Sequence, residues 1–304
     1  VSEAPPRSTQ LAVLIPFAAV TMIWGSTWLV IRDQLGVVPP SWSVTYRFVV
    51  AGIAMMAVAA WRREPLWLDR RGLAFACVIA ASQFCLNFNL VYRAESYVTS
   101  GLVAVVFGLL LVPNALLSRI FLGQRMGAQL MLGSAVAISG VALLFVHEAR
   151  SGISGPHAAL VGIGLTMLAV CSASVANVAQ ATDAAKRTPM IPTLGIAMLI
   201  GAAADAAFAY ATTGPPVFEW RIGYVAGILY LGVVASALAF PLYFGMLRVI
   251  GPAKAAYSGV LVPVIAMLLS TVFEGYRWSP LAGAGAALAM VGLVIALRAR
   301  RPNR

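Results

Sequence analysis

The chain has 304 residues, of which 61% are hydrophobic and 10% charged, and a formal net charge of +11. Soluble domains carry about 25% charged residues, so a soluble globular fold is excluded. The basic excess sits at the ends of apolar runs and forms no stripe, which excludes nucleic acid as a partner.

Ten apolar runs follow one another, each close to the roughly 20 residues that cross a bilayer. They are Leu11–Ile31, Trp42–Trp61, Gly72–Tyr92, Val98–Ser118, Gly127–Val146, Ala158–Val178, Met190–Ala211, Ile222–Met246, Ala253–Phe273 and Pro280–Leu297. Lipid leaves backbone polar groups no outside partner, so each run is expected to be a helix. The predicted fold is therefore all-α, a polytopic membrane protein with ten transmembrane helices. The first run is longer than the apolar core of a signal peptide and only Arg7 precedes it, so it reads as a retained span.

The first span carries Trp24, Thr27 and Trp28 on one face, by i, i+3, i+4 spacing. Trp24 lies mid-span, too deep for an interfacial belt residue, so a cavity wall is the reading that fits it. The second holds Arg47, which either snorkels to the outer surface, pairs with Asp33 or guards a cavity mouth. The third places Gln83 and Asn87 one turn apart, beside Phe84 and Phe88. A carboxamide in hydrocarbon must find a partner, as helix glue or as cavity lining; two on one turn favour a cavity. Pro113 in the fourth span frees a carbonyl, giving a hinge, a substrate contact or a static kink.

The fifth span is rich in small residues (Gly127, Gly133, Gly140) and nearly free of polar ones, as expected of a packing or dimer-facing element. The sixth places Ser174 and Asn177 on one face. Asp205, late in the seventh, is a proton relay, a helix-paired carboxylate or a solvated one. No buried acidic cluster is apparent. The eighth contributes Tyr243, the ninth Tyr257, Ser258 and Pro263 (a second hinge or kink), and the tenth repeats the small-residue pattern with Gly283, Gly285 and Gly292.

With the N-terminus in the cytoplasm, fifteen of the 21 Lys and Arg fall on that side. Five (Arg32, Arg93, Arg150, Arg221 and Arg277) fall on the other, and Arg47 lies within a span. Such an excess on short loops orients both termini to the cytoplasm. Gly123, Arg125, Gly133 and Gly140 match Gly275, Arg277, Gly285 and Gly292 at a constant offset of 152 residues. The predicted units are a first five-helix repeat over 1–150 and a second over 151–304. Five spans per unit force the second to be inverted, the architecture of transporters that rock about a central site. Duplication in a structural protein without a cavity is the plainer alternative.

A wall of rings, amides and hydroxyls suits an amphipathic organic solute. Two His and three Cys (Cys77, Cys85 and Cys171, all within spans) supply no metal cluster, disulfide framework or catalytic pair. No enzyme activity and no cofactor are expected; the partners are a small-molecule substrate and the lipid bilayer. Monomer and homodimer remain alternatives.

The opening MIWGSTWLVIRD and the following YRFVVAG (Tyr46–Gly52) resemble the start of EamA-type members of the drug/metabolite transporter superfamily. FLGQR (Phe121–Arg125) and FEGYR (Phe273–Arg277) resemble that family's recurring element before the fifth and tenth spans, although Gln124 and Tyr276 stand where it usually has Glu. Within the superfamily the chain is similar to the YddG-type aromatic amino acid exporters. That resemblance implies a bacterial inner-membrane exporter with ten spans and a central cavity accepting aromatic and other neutral amino acids. It points to Trp24, Tyr46, Gln83, Asn87, Asn177 and Tyr243 as wall positions. A multidrug or other small-metabolite exporter of the same fold is the alternative, followed by a non-transporting assembly or sensory protein.

Overall fold

A computed structural model describes residues 7–123, 127–151, 155–245 and 258–298. Among the described residues all regular structure is helical. Eight helices are long and apolar enough to cross a membrane: α1 (Arg7–Asp33), α2 (Pro40–Trp61), α3 (Arg70–Ala94), α4 (Ser100–Leu122), α5 (Ala128–Ser151), α6 (Gly155–Gln180), α7 (Met190–Thr213) and α8 (Ile222–Gly245). Two shorter apolar helices follow, α9 (Ser258–Phe273) and α10 (Pro280–Leu297). The protein is thus an all-α, multi-pass membrane protein. Tyr257, Gln124 and Arg125 lie outside the described residues, and so do the first residues of the expected ninth span.

Local chemistry sets the helix ends. Asp69 caps α3 by accepting the Gly72 N–H at 2.7 Å, and Ser279 caps α10 by accepting the Ala282 N–H at 3.1 Å. Pro40 and Pro280 occupy first helical positions, where their missing N–H is not needed. α4 ends at Gly123 with φ 65°, and Gly275 just beyond α9 has φ 67°; both are left-handed conformations that glycine enters without strain.

Two long helices contain a π-helical stretch, Ala80–Asn87 in α3 and Tyr230–Leu238 in α8. Such a stretch widens the helix and is frequent at functional sites. The indole N–H of Trp24 in α1 donates to the Ala235 carbonyl within the α8 stretch at 3.2 Å. The Ser172 hydroxyl in α6 donates to the Ser82 carbonyl within the α3 stretch at 2.7 Å. In α4 a short 3-10 turn, Gly108–Leu110, precedes Pro113, whose missing N–H leaves the regular ladder incomplete.

Helix packing is reciprocal. α1 packs on α8 and α9, while α6 packs on α3 and α4; α2 meets α8 as α7 meets α3. α2 also pairs with α7, α4 with α9 and α5 with α10. The α5–α10 contact is the closest. A Cβ added at Gly133 or Gly140 would lie 2.3 Å from the backbone N of Ala296 or Ala289, and one at Gly292 would lie 2.2 Å from that of Ala137. The small-residue faces of α5 and α10 are therefore spent on each other inside one chain, which corrects the dimer-facing alternative for these glycines.

Candidate functional site

A cavity of about 150 Å³ lies at the centre of the bundle. Its wall is built from the half of α1 that carries Trp24, Thr27, Trp28 and Ile31, from Arg47 of α2, and from Gln83, Asn87 and Phe88 in and beside the π-helical stretch of α3. α4 adds Phe107, Gly108, Leu111 and Asn114; α6 adds Ala173 and Asn177. α8 adds Phe240, Tyr243 and Phe244, and α9 adds Gly259, Val262 and Pro263.

The rings form a connected set. Trp24 lies 4.9 Å from Tyr243 and 5.5 Å from Phe240, and Phe244 lies 5.6 Å from Tyr243, all between ring centroids. Trp28 packs on Phe107 at 5.4 Å. These separations fall in the favourable range for tilted and edge-to-face aromatic pairs. Thr27 spends its hydroxyl on the Trp24 carbonyl of its own helix at 2.8 Å. Toward the other end, the Asn177 amide meets the Asn114 carbonyl oxygen at 3.5 Å.

Arg47 is 2% exposed, so it does not snorkel. Its Nε donates to the Ser236 hydroxyl of α8 at 3.1 Å, and its guanidinium lies 4.2 Å from the Phe88 ring centroid and 5.3 Å from that of Phe48. Asp33 is paired with Arg221 instead, Nη2 to Oδ2 at 3.0 Å, which overturns the expected Arg47–Asp33 alternative.

Several expected wall residues lie elsewhere. Tyr46 does not line the cavity: its hydroxyl donates to the Val217 carbonyl at 2.9 Å and its ring packs between Trp42 and Phe218. One helical step carries the chain from that position to the cavity wall at Arg47. Ser174 is fully buried but outside the lining, because α6 turns it toward packed helix. Pro113 is not a wall residue, whereas Pro263 is. Asn114 had no sequence signal, being one polar residue after a proline in an apolar run.

Two carboxylates are fully buried among the described residues, Asp205, which the sequence already singled out, and Glu95, which it did not. Asp205 is tied between helices. Its Oδ1 accepts the Asn89 amide at 2.6 Å, Asn89 Oδ1 accepts the Ser41 hydroxyl at 2.6 Å, and Arg93 donates to Ser41 at 3.1 Å. The solvated alternative for Asp205 is thereby excluded. Glu95, at the turn after α3, is the other. Arg32 donates to its backbone carbonyl. Burial, and next the neighbouring Glu274, push the Glu95 carboxyl well above the usual carboxylate range, while Arg32 and Arg47 pull the other way. Glu274 in turn accepts the Ser100 N–H at 3.2 Å and the Ser270 hydroxyl at 2.6 Å, tying α9 to the start of α4. Glu95, Ser100 and the segment that follows close this end of the bundle: every residue from Ser100 to Val106 is buried. At the other end of α4, none of Leu111–Leu122 is buried.

The family model described as the EamA-like transporter family matches residues 11–146 and 160–298. The chain is 24% identical over 273 residues to Protein PagO of Salmonella typhimurium (strain LT2), covering 89% of this chain and 88% of that protein. It is 28% identical over 298 residues to the Probable terminal-alkyne amino-acid exporter of Streptantibioticus cattleyicolor, covering 90% and 89%. A solved crystal structure shares the fold with a TM-score of 0.69 at 20% identity, over 96% of this chain and 97% of that one.

Proposed function

The chain belongs to the EamA-like transporter family, and from that premise we propose that it exports aromatic and other neutral amino acids across the bacterial inner membrane by alternating access. Membership itself makes the protein a secondary transporter of small metabolites and not an enzyme, and retires the assembly or sensory alternative. The further reading is ten spans in two inverted five-helix units, 1–150 and 151–304, with both termini cytoplasmic. The gap between the matched segments, 147–159, spans the end of α5 and the start of α6, which supports a boundary there. The π-helical stretches occupy the third helix of each unit, and a positive-φ glycine, Gly123 or Gly275, follows the fourth helix of each. The packing of α1 on α8 and α9 mirrors that of α6 on α3 and α4, and α2 meets α8 as α7 meets α3, a correspondence that supports a pseudo-twofold axis in the membrane plane.

The observation that carries the substrate class is the cavity wall. Trp24, Phe240, Tyr243 and Phe107 offer ring faces, Gln83, Asn87, Asn114 and Asn177 offer amides, and no acidic residue lines it among the described residues. Its volume of about 150 Å³ is below the roughly 300–1,000 Å³ usual for drug-sized ligands, which suits a metabolite of amino-acid size. A cationic drug would meet the positive charge of Arg47 and, among the described residues, no carboxylate in the wall, so the multidrug alternative is the weaker one. A relative whose name specifies an amino-acid exporter points the same way.

With the termini cytoplasmic, the buried layer around Ser100–Val106 is the outer closure and the Leu111–Leu122 end faces the cytoplasm. The burial at Ser100–Val106 and its absence at Leu111–Leu122 support a state that loads substrate for export. Proteoliposomes loaded with radiolabelled phenylalanine should release it faster than lipid-only vesicles, and Gln83→Ala or Asn87→Ala should lose that flux at equal protein level. Equal release from protein and lipid-only vesicles would refute the amino-acid assignment.

A further inference from the structure

The polar atoms of the cavity wall are unevenly satisfied, and the imbalance has one sign. Three buried nitrogens of the cavity wall have no hydrogen-bond partner among the described residues: Arg47 Nη1, Trp28 Nε1 and Asn87 Nδ2. Their residues are 2%, 7% and 1% exposed, and all three line the central cavity. All three atoms are donors. Arg47 is also the one ionised residue among those lining the cavity, and it forms no ion pair among the described residues.

Bracing α2 against α8 does not account for this arrangement. The bond to Ser236 uses only Nε of Arg47, the neighbouring Tyr92 hydroxyl still leaves Nη1 without a partner, and the rings of Phe88 and Phe48 hold the guanidinium plane without accepting its N–H groups. A cation held in place, shut off from solvent and left with an unused donor beside two further unused donors is complementary to an anion with several acceptor lone pairs. An intramembrane cation of this kind marks a substrate pathway more often than a structural post.

We infer that Arg47, together with the indole N–H of Trp28 and the carboxamide of Asn87, is the subsite that takes the carboxylate of the transported solute. The inference rests on the central cavity being the substrate site, as proposed above, and names which end of the solute goes where. The carboxylate seats at the Arg47 end, with the Trp28 indole swinging from its packing on Phe107 to admit it. The apolar side chain lies among Trp24, Phe240 and Tyr243. Acids are therefore selected over their uncharged amides and over cations, because an amide leaves the guanidinium uncompensated.

The test uses the purified full-length protein in detergent and two probes of the same shape, 3-phenylpropanoate and 3-phenylpropanamide. Ligand-induced thermal shifts should give a half-saturating concentration roughly tenfold or more lower for the acid in the wild type, a difference that Arg47→Gln abolishes. Should Arg47→Gln fail to fold, Trp28→Phe, which keeps a ring and loses only the N–H, should weaken the acid several-fold and leave the amide unchanged, and Arg47→Lys should retain part of the preference. Equal stabilisation by acid and amide, no stabilisation by the acid, or an undiminished preference in a folded Arg47→Gln or Trp28→Phe protein would each overturn the assignment. Phenylalanine release without acid preference would sink this subsite and leave the amino-acid reading standing. Acid preference without phenylalanine release would do the reverse.

Discussion

The Ser236 hydroxyl accepts from Arg47 Nε at 3.1 Å and donates to the Leu231 carbonyl five residues back at 2.8 Å, a spacing that the π-helical stretch of α8 provides. Ser236→Ala removes the acceptor of a buried guanidinium, a loss of about 1–3 kcal/mol. The expected result is a lower melting temperature in detergent together with a raised KM for phenylalanine, whereas a purely structural Arg47 would show the first effect alone. Asp205 gives the opposite expectation. Asn89→Leu leaves its Oδ1 buried without its donor and should cost about 1.5–3 kcal/mol by thermal unfolding. Flux per folded molecule should be unchanged, because Asp205 lies outside the cavity lining; a flux defect in a fully folded Asn89→Leu protein would show that the Asp205 chain takes part in transport. The burial of Arg47 was not legible in the sequence, since a basic residue a turn and a half into a span has water within reach by length alone. What holds it inward is Ser236, 189 residues away, and the ring of Phe88 on a third helix.

Between helices, the α5–α10 contact was legible as composition but not as pairing. The glycines mark a surface that something approaches closely, and only the packed structure says that each helix is the other's partner. The consequence is sharp, because the atoms in the way are backbone and cannot rotate aside. Gly140→Leu or Gly292→Leu should destabilise by at least the roughly 1–3 kcal/mol of an overpacked core and reduce the folded yield. Gly283→Leu, on the same α10, meets nothing within 4 Å and should be neutral or slightly stabilising through helix propensity. Comparable losses at Gly283 and Gly292 in a detergent melting assay would mean that the close approach is not what these glycines serve. The spans themselves were readable because twenty apolar residues in succession have one satisfactory conformation in lipid. The π-helical stretches left no such mark: Ala80–Asn87 and Tyr230–Leu238 look like ordinary apolar helix, and their widened turns are selected by the donors of Trp24 and Ser172 that arrive from neighbouring helices.

At the scale of the whole molecule, the alternating access proposed above requires the buried layer at Glu95, Ser100 and Glu274 to open, and on that reading the charge state of Glu95 biases the step. In the closed form burial and Glu274 raise its carboxyl well above the ordinary value, against the opposing pull of Arg32 and Arg47. In an open form the carboxyl is hydrated and near its ordinary value. Below that ordinary value both forms are protonated and the closed form keeps its full stability. As pH rises toward the raised value, the open form ionises and the closed form does not, so closure weakens by about 1.4 kcal/mol per pH unit across that window. Acid therefore favours the closed outer end and rising pH favours its opening. In a background lacking Cys77, Cys85 and Cys171, a cysteine at Asn114, on the opposite end of the cavity, reports the state. Its labelling by an impermeant maleimide in inside-out vesicles, corrected for thiolate content against an exposed cysteine, should fall from pH 5 to pH 8. Glu95→Gln, which stays neutral in both forms, should keep labelling high throughout. On the proposed topology, a protonation favoured by outer closure would also let an inward proton gradient reset the exporter after release. Labelling that rises with pH, or a slope unchanged in Glu95→Gln, would remove Glu95 from that role.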